Sequence, residues 1–223
     1  MRKGALIFAR LSSKRLPRKA FARIGNKRVI DWVLDSCREL HVDERILATS
    51  NETSDDELAE YVSSRGYSVY RGDLDDVYGR ALSCAEEYGL DAFARINGDS
   101  PFTDINLIDK GFEKMISNNL EFISNIIQRT YPYGVSCEVI RTSLLQRYDS
   151  NQYRSVSREH ITQILYQNLD SIRHGSMESE ENFSDLKLTV DLPGDLKRIQ
   201  RIYDYFGNLN EIDFVSIKNF LNK

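Results

Sequence analysis

Two residue types and two motifs that often carry chemistry are scarce or missing. Cysteine occurs three times, as Cys37, Cys84 and Cys137, widely spaced and with no C-x-x-C pair. An odd number at such spacing supports neither a disulfide framework nor a zinc site, and all three are expected in the core or to be incidental. His41, His160 and His174 show no metal-ligand spacing, which removes the commonest zinc and iron constellations. No G-x-x-x-x-G-K-[ST] occurs, and no G-x-G-x-x-G follows a strand-like run, so neither glycine-rich phosphate cradle is present. No apolar run approaches the ~20 residues that span a bilayer, and the N-terminal one, Ala5 to Ala9, meets Arg10 too soon for a secretory h-region. The expectation is a cytoplasmic protein with no membrane partner.

The chain has 223 residues, 41% hydrophobic and 10% aromatic, enough to bury a full core as one domain over 1–223 with a small excursion. Strand-like and helix-like segments alternate. After the strand Ala5 to Ala9, the residues Val29, Trp32, Val33, Ser36, Cys37 and Leu40 recur at helical spacing, and Arg45 to Thr49 reads as a strand. A helix over Asp55 to Arg65 closes at Gly66 before the strand Ser68 to Arg71. A helix over Asp76 to Tyr88 closes at Gly89 before the strand Ala92 to Ile96. Strands separated by helices of this length predict right-handed βαβ units and a parallel sheet.

The second half is less regular. Glu121 to Ile126 and Ser136 to Ile140 read as strands around a turn with Pro132 and Gly134, followed by a helix from Thr142 to about Gln152. A polar stretch, Asn151 to Ser157, leads to a helix over Arg158 to Asn168. Asp185 to Val190 then reads as a strand before a final helix pair.

The first strand runs directly into Arg10-Leu-Ser-Ser-Lys14-Arg15-Leu-Pro17-Arg18-Lys19. In an open α/β sheet ligands bind outside the carboxyl ends of the strands, so this loop offers its cations to a multiply charged anion, and a polyphosphate is the natural guest. A solvated charge run seldom begins at the end of a buried strand. A nucleic-acid surface is disfavoured because 34 acidic residues outnumber 30 basic ones, for a net charge of −4. Two acids stand at corresponding places: Asp99 follows Ala92 to Ile96 through Asn97-Gly98, and Asp191 follows Lys187 to Val190. If those two strands are neighbours, both carboxylates face the basic loop and hold Mg²⁺, which takes one or two carboxylates plus substrate phosphates. The plainer alternative has Asp99 capping the Ser100-Pro101 turn. Asp195 is read as stabilising the first turn of the last helix pair.

At this point the residues carry a resemblance. The string A-R-L-S-S-K-R-L-P-R-K resembles the opening A-R-x-x-S-x-R-L-P-x-K of the cytidylyltransferases that make CMP-activated sugar acids, the CMP-Kdo and CMP-sialate synthetases and the SpsF-like spore-coat polysaccharide proteins. The later landmarks resemble the SpsF-like branch most: Tyr70-Arg-Gly72 with Asp75-Asp76-Val77, Arg95-Ile-Asn-Gly-Asp99-Ser-Pro101, Arg129-Thr-Tyr-Pro-Tyr-Gly134, Arg158-Glu-His160 and Leu188-Thr-Val-Asp191. They follow in order over nearly the whole chain.

The resemblance implies a Rossmann-like, mostly parallel sheet of the glycosyltransferase-A (nucleotide-diphospho-sugar transferase) type. A small inserted β/α region near 122–168 would contribute to the acceptor site and to homodimer contacts. It implies a Mg²⁺-dependent transfer of CMP from CTP to a sugar or sugar-acid hydroxyl, with release of pyrophosphate, in polysaccharide biosynthesis. Arg10, Ser13, Arg15 and Lys19 would hold the phosphates, with Ala9, Thr49, Asn97 and Gly98 near the nucleotide. Asp99 and Asp191 would ligate Mg²⁺, and with Arg15 and Lys19 they form the expected catalytic set. On the acceptor side Arg158, Glu159, His160, Tyr133 and Glu138 are candidates, although an ordinary charged helix start explains the first three equally well. No general base is assigned; His41 and His174 read as surface.

The chain departs from the family pattern at Arg18, where glycine is common and a cation would narrow the phosphate path. It departs again at Tyr133 and Ser136, where acids are common, while Glu138 remains. Two other classes compete. A glycosyltransferase of the same fold would use Asp73-Leu-Asp75 as its metal motif, and a non-catalytic nucleotide-binding protein would keep the basic loop without needing both carboxylates.

Overall fold

The structure is a computed structural model, described here over residues 1–149, 158–209 and 212–222. A seven-stranded sheet runs through it. In chain order its strands are β1 (Lys3–Phe8), β4 (Glu44–Ser50), β5 (Ser68–Gly72), β6 (Ala92–Asn97), β7 (Phe122–Ser124), β8 (Glu138–Arg141) and β9 (His174–Ser176). Their spatial order is β5-β4-β1-β6-β8-β7-β9. All neighbouring pairs are parallel except those of β8 with β6 and with β7. The two remaining strands, β2 (Arg23–Ile24) and β3 (Lys27–Arg28), form a separate hairpin.

Strand side chains alternate faces, and the two layers of core follow from that period of two. Ala5, Ile7, Ala92, Ala94, Ile96, Ile123 and Val139 pack on one face with α1 (Val29–Arg38), α2 (Asp56–Ser64), α4 (Ile105–Ser117) and α7 (Pro193–Phe206). Leu6, Ile46, Ala48, Phe93, Phe122 and Ile140 pack on the other with α3 (Val77–Glu87), α5 (Thr142–Tyr148) and the short α6 (Gln163–Tyr166). Strands covered on both faces read as continuous apolar runs, which is why β1, β4 and β6 were visible in the sequence. The remaining helix, α8 (Phe214–Leu221), closes the chain against the first layer.

Several expectations are corrected. Asp185–Val190 is not a ladder strand: only Lys187 makes a bridge, to Tyr133, and the segment runs extended past Asp99. Arg158 to Thr162 is turn rather than helix, and α6 is confined to four residues. The described residues of the region near 122–168 supply β7 and β8 to the central sheet and α5 and α6 to its face. The end of the helix expected to reach Gln152 and the polar stretch 151–157 lie outside the described residues. The hairpin, α4 and β9 were not separated from loops in the sequence. All three cysteines are buried, as expected, and burial pushes the Cys37 and Cys84 thiols up to about 12.

Two glycines set the geometry of the sheet's carboxyl edge. Gly98 follows β6 and donates its N–H to Phe8 O at 2.8 Å; a Cβ there would stand 2.7 Å from the Cβ of Ala9. Gly134 has φ +105°, and a Cβ on it would stand 2.7 Å from the backbone of Leu188 and Thr189. That close approach seats the segment ending at Asp191. Replacing Gly134 by Ala therefore costs about 1–3 kcal/mol in urea unfolding. A change below about 0.5 kcal/mol, within the range of ordinary surface substitutions, would contradict the close approach.

Candidate active site

From β1 the chain passes outward to β4 and β5, then returns through α3 to β6 on the other side of β1. The strand order reverses between β1 and β6, where an open α/β sheet leaves a crevice at its carboxyl edge. Two cavities of about 240 Å³ each lie there. They share Arg95, Asn97 and Asp99 and form one bipartite cleft. The first half is lined by Ala9, Arg10, Lys19, Gly98, Glu159 and His160 together with Val77 and Arg80. The second is lined by Arg15, Asp191 and Tyr133 together with Arg129 and Ser136.

The basic loop is held from below. Asp55, fully buried, accepts from Leu11 N at 2.7 Å and from the Ser50 hydroxyl. Arg18 N closes the loop onto Leu11 O at 3.0 Å. Arg18 itself has φ +58°, the left-handed region in which a side chain is strained and glycine is not, and this accounts for the glycine common at the position. Its guanidinium turns away to Glu57 at 2.7 Å. The expected narrowing of the phosphate path does not occur.

At the floor of the cleft Lys19 Nζ bonds Asp99 Oδ2 at 2.5 Å and Asp191 Oδ1 at 3.1 Å, and Arg15 bonds the other oxygen of Asp191 at 2.6 Å. Asp99 and Asp191 are joined by backbone as well, through Val190 N to Asp99 O at 2.9 Å and Thr189 Oγ1 to the same oxygen at 3.2 Å. The two acids thus converge without ladder pairing of their segments. No group of three or more His, Cys, Asp or Glu side chains suited to a metal occurs among the described residues. The carboxylate pair fits a hard divalent cation that completes its shell with phosphate and water, because both acids already face one point occupied by an ammonium.

Asp195 supports this floor. Its carboxylate accepts from Leu192 N at 2.9 Å, Asp191 N at 3.2 Å, Arg198 at 2.8 Å and Lys187 at 3.0 Å. It caps α7, as expected, and also fixes the backbone of Asp191. Burial alone would raise the Asp195 carboxyl, but these hydrogen bonds bring it down to about 2.

Other expected residues lie elsewhere. Glu138 is fully buried behind the cleft, bonded to Arg95 and to the Tyr166 hydroxyl, and does not line it. Arg158 spends its guanidinium on Asp76 at 2.7 Å and Asp149 at 2.8 Å and stacks on Tyr78; neither a helix N-terminus nor a free cation stands there. Thr49 is fully buried at the end of β4, and neither it nor Ser13 lines the cleft. Ser13 accepts from Leu16 N at 3.4 Å within the loop. His41 is exposed beside Asp109, and His174 is exposed on β9.

Three cleft arginines were not assigned in the sequence. Five buried side-chain polar atoms lack a partner among the described residues: Thr49 Oγ1, Arg80 Nε, Arg95 Nε, Arg129 Nη1 and Ser176 Oγ. Three of the five are arginine N–H groups lining one cleft. Burial, and next the charge of Arg10, lower the Arg80 guanidinium from its usual range, so the first half holds mutually repelling cations that an anion would relieve. The available signal was Arg95, a cation inside an otherwise apolar strand.

Asp73 is excluded as a metal ligand by its geometry. Its carboxylate accepts from Asp75 N at 2.8 Å and Asp76 N at 2.7 Å in an exposed turn, those backbone donors hold its pKa low, and neither Asp73 nor Asp75 lines the cleft. A sheet crevice with cations along its walls and two converging acids on its floor suits a polyphosphate and a divalent cation. The cytidylyltransferase family model matches residues 5–218, and the chain belongs to that family; its class is nucleotidyltransferase.

It is 31% identical over 223 residues to an uncharacterized protein of Methanocaldococcus jannaschii, covering 98% of this chain and 89% of that one. It is 25% identical over 228 residues to the spore coat polysaccharide biosynthesis protein SpsF of Bacillus subtilis, covering 98% and 93%. A cytidylyltransferase structure from Leptospira borgpetersenii superposes with TM-score 0.90 at 28% identity, covering 100% of this chain and 94% of that one. A CMP:2-keto-3-deoxy-manno-octonic acid synthetase solved with CTP superposes with TM-score 0.67 at 16% identity, over 92% and 99%, and shares the fold.

The folded Asp195 carboxyl lies below its ordinary 3.8. Its contribution is therefore complete above the unfolded value and is lost as pH falls from about 4 to about 2. Asp195→Asn should cost about 2 kcal/mol at pH 7 in urea unfolding, with the gap to the natural protein closing near pH 2. Equal stability at pH 7 would contradict the assignment.

Proposed function

We propose that this protein transfers CMP from CTP to a hydroxyl of a sugar acid and releases pyrophosphate. The observation that carries the reading is the convergence of Asp99 and Asp191 on Lys19 between the two halves of the cleft. In this reading the triphosphate lies along Arg10, Lys19 and Arg15, and Ala9, Asn97 and Gly98 flank the nucleotide. Ser13 shapes the loop by accepting from Leu16 N, and Thr49 is buried at the end of β4. Charge-assisted hydrogen bonds and position are the main means of catalysis for such a transfer, since the protein has little covalent work to do.

Asp99 and Asp191 are the residues that would hold Mg²⁺, whose charge would neutralise the leaving pyrophosphate. The acceptor oxygen forms a bond to the α-phosphorus while the bond from that phosphorus to the bridging oxygen breaks. The electron pair leaves with pyrophosphate, and the acceptor's proton is released.

The second half of the cleft favours an anionic acceptor. Arg129 is stacked over Tyr133 at 5.3 Å and keeps its Nη1 buried and unpartnered, and Ser136 contributes a hydroxyl where an acid would have opposed the charge. A carboxylate matches the fork of a guanidinium. Glu159 and His160 border the first half, where Glu159 reaches Arg10 at 3.6 Å. A homodimer and a place in surface-polysaccharide synthesis are part of the same reading.

The test is pyrophosphate release with Mg²⁺ from CTP, UTP, ATP and GTP across a panel of sugar acids and neutral sugars. CTP-selective release with an acidic acceptor is expected. Asp99→Asn should lower it about 100-fold while CTP still binds, and Arg129→Gln should raise KM for the acceptor about tenfold or more. Tight CTP binding with no release for any acceptor would favour a non-catalytic binding protein, and the absence of CTP binding would overturn the reading.

A further inference from the structure

Arg95 belongs to both halves of the cleft and is the only cation that does so among the lining residues. Its side chain leaves β6 in register with Leu6 of β1 and is clamped from behind. One terminal nitrogen bonds the Glu138 carboxylate, whose other oxygen accepts from the Tyr166 hydroxyl at 2.8 Å. Tyr166 is in turn 2.6 Å from Ser124 Oγ, and Ser124 pairs with Glu138 across β7 and β8. Glu138 and Ser124 are fully buried, so the guanidinium is held in one orientation before any ligand arrives. Its Nε is buried with no acceptor among the described residues, while the side chain as a whole keeps 21% exposure and lines both halves.

A buried N–H left without a partner is costly, and a buried ion pair is a poor source of stability compared with apolar packing. A fixed donor in a site shielded from water is, by contrast, most effective where charge must be held during a reaction. We propose that Arg95 is a catalytic residue whose cleft-lining guanidinium donates to a non-bridging oxygen of the phosphoryl group passing from nucleotide to acceptor. This rests on the nucleotidyl-transfer reading, because in that reading the α-phosphate is the group lying where the two halves meet. The bonds made and broken are those given above; Arg95 gains and loses no proton. Glu138 and Tyr166 are positioning residues that act through Arg95.

The test compares Arg95→Gln and Arg95→Lys with the natural enzyme in pyrophosphate release, in CTP binding and in thermal unfolding. Release is also measured with the two diastereomers of CTP that carry sulfur in place of one non-bridging α-oxygen. Arg95→Gln should lower kcat about 100-fold with CTP affinity changed by less than about threefold, since a donor that matters in the transition state is not a ground-state anchor. The rate ratio of the two diastereomers should change about tenfold, because only one α-oxygen faces the missing donor. Arg95→Lys keeps a cation beside Glu138 and lacks the guanidinium fork; it should fold like the natural protein and show the same loss, which decides the matter if the glutamine variant does not fold.

A kcat within about threefold of the natural value overturns the assignment. So does a loss shared equally by CTP binding and kcat with the diastereomer ratio unchanged, as a purely structural ion pair would give. Natural enzyme that binds CTP and never releases pyrophosphate overturns the transfer reading itself, and Arg95's role with it, so the two failures are told apart by the unsubstituted protein.

Discussion

The meeting of one ammonium with two carboxylates organises the site. Lys19 bonds acids that lie 80 and 172 residues away in the chain, and each partner comes from a different kind of segment: a loop after β1, a turn after β6 and an extended strap before α7. Lys19 opens a single 3-10 turn over Lys19–Phe21, and neither acid lies in a regular element. Their common position depends on the polar contacts at the carboxyl edge of the sheet, supplemented by the two glycines that permit backbones to touch. An exposed ion pair contributes little to stability. This cluster is mostly withdrawn from solvent, with 16% exposure for Lys19, 22% for Asp99 and 14% for Asp191, so its members hold one another in register more firmly than surface charges would.

Behind that floor stand buried acids that never face a ligand. Asp55 ties down the basic loop, Asp195 ties down Asp191, and Glu138 orients Arg95. Each is satisfied by several donors, which offsets the cost of taking a carboxylate out of water. The cations that line the cleft are treated differently: Arg80, Arg95 and Arg129 each keep one buried N–H without a partner among the described residues. The protein thus separates its charges by task. Acids in the second layer build the shape, and arginines in the first layer are left with hydrogen-bonding capacity for a polyanion.

Much of this was legible in the sequence, and the reasons are physical. Strands buried on both faces gave continuous apolar runs, so β1, β4 and β6 and the basic loop between β1 and the hairpin were readable. The acids after β6 and before α7 were readable because both follow apolar segments. What the sequence hid were consequences of packing between distant segments. Lys187 to Val190 alternates like a strand but makes a single bridge, because Gly134 draws it against a turn rather than a ladder. Arg158 looked free and is spent on Asp76 and Asp149; Glu138 looked like an acceptor ligand and is enclosed. Arg18 was expected to narrow the phosphate path, yet it sits in the left-handed region and pairs with Glu57. The polar helix opening at Asp104, the cap of α4, was missed although its side chain accepts from Leu107 N at 3.0 Å.

The account stands or falls on whether Asp99 and Asp191 share a divalent cation. The direct measurement is anomalous diffraction from crystals grown with CTP and Mn²⁺. The account predicts one peak within coordination distance, about 2.0–2.6 Å, of oxygens from both carboxylates. A peak bound to neither acid, or ordered CTP with Lys19 still bridging Asp99 and Asp191 and no metal between them, would contradict it.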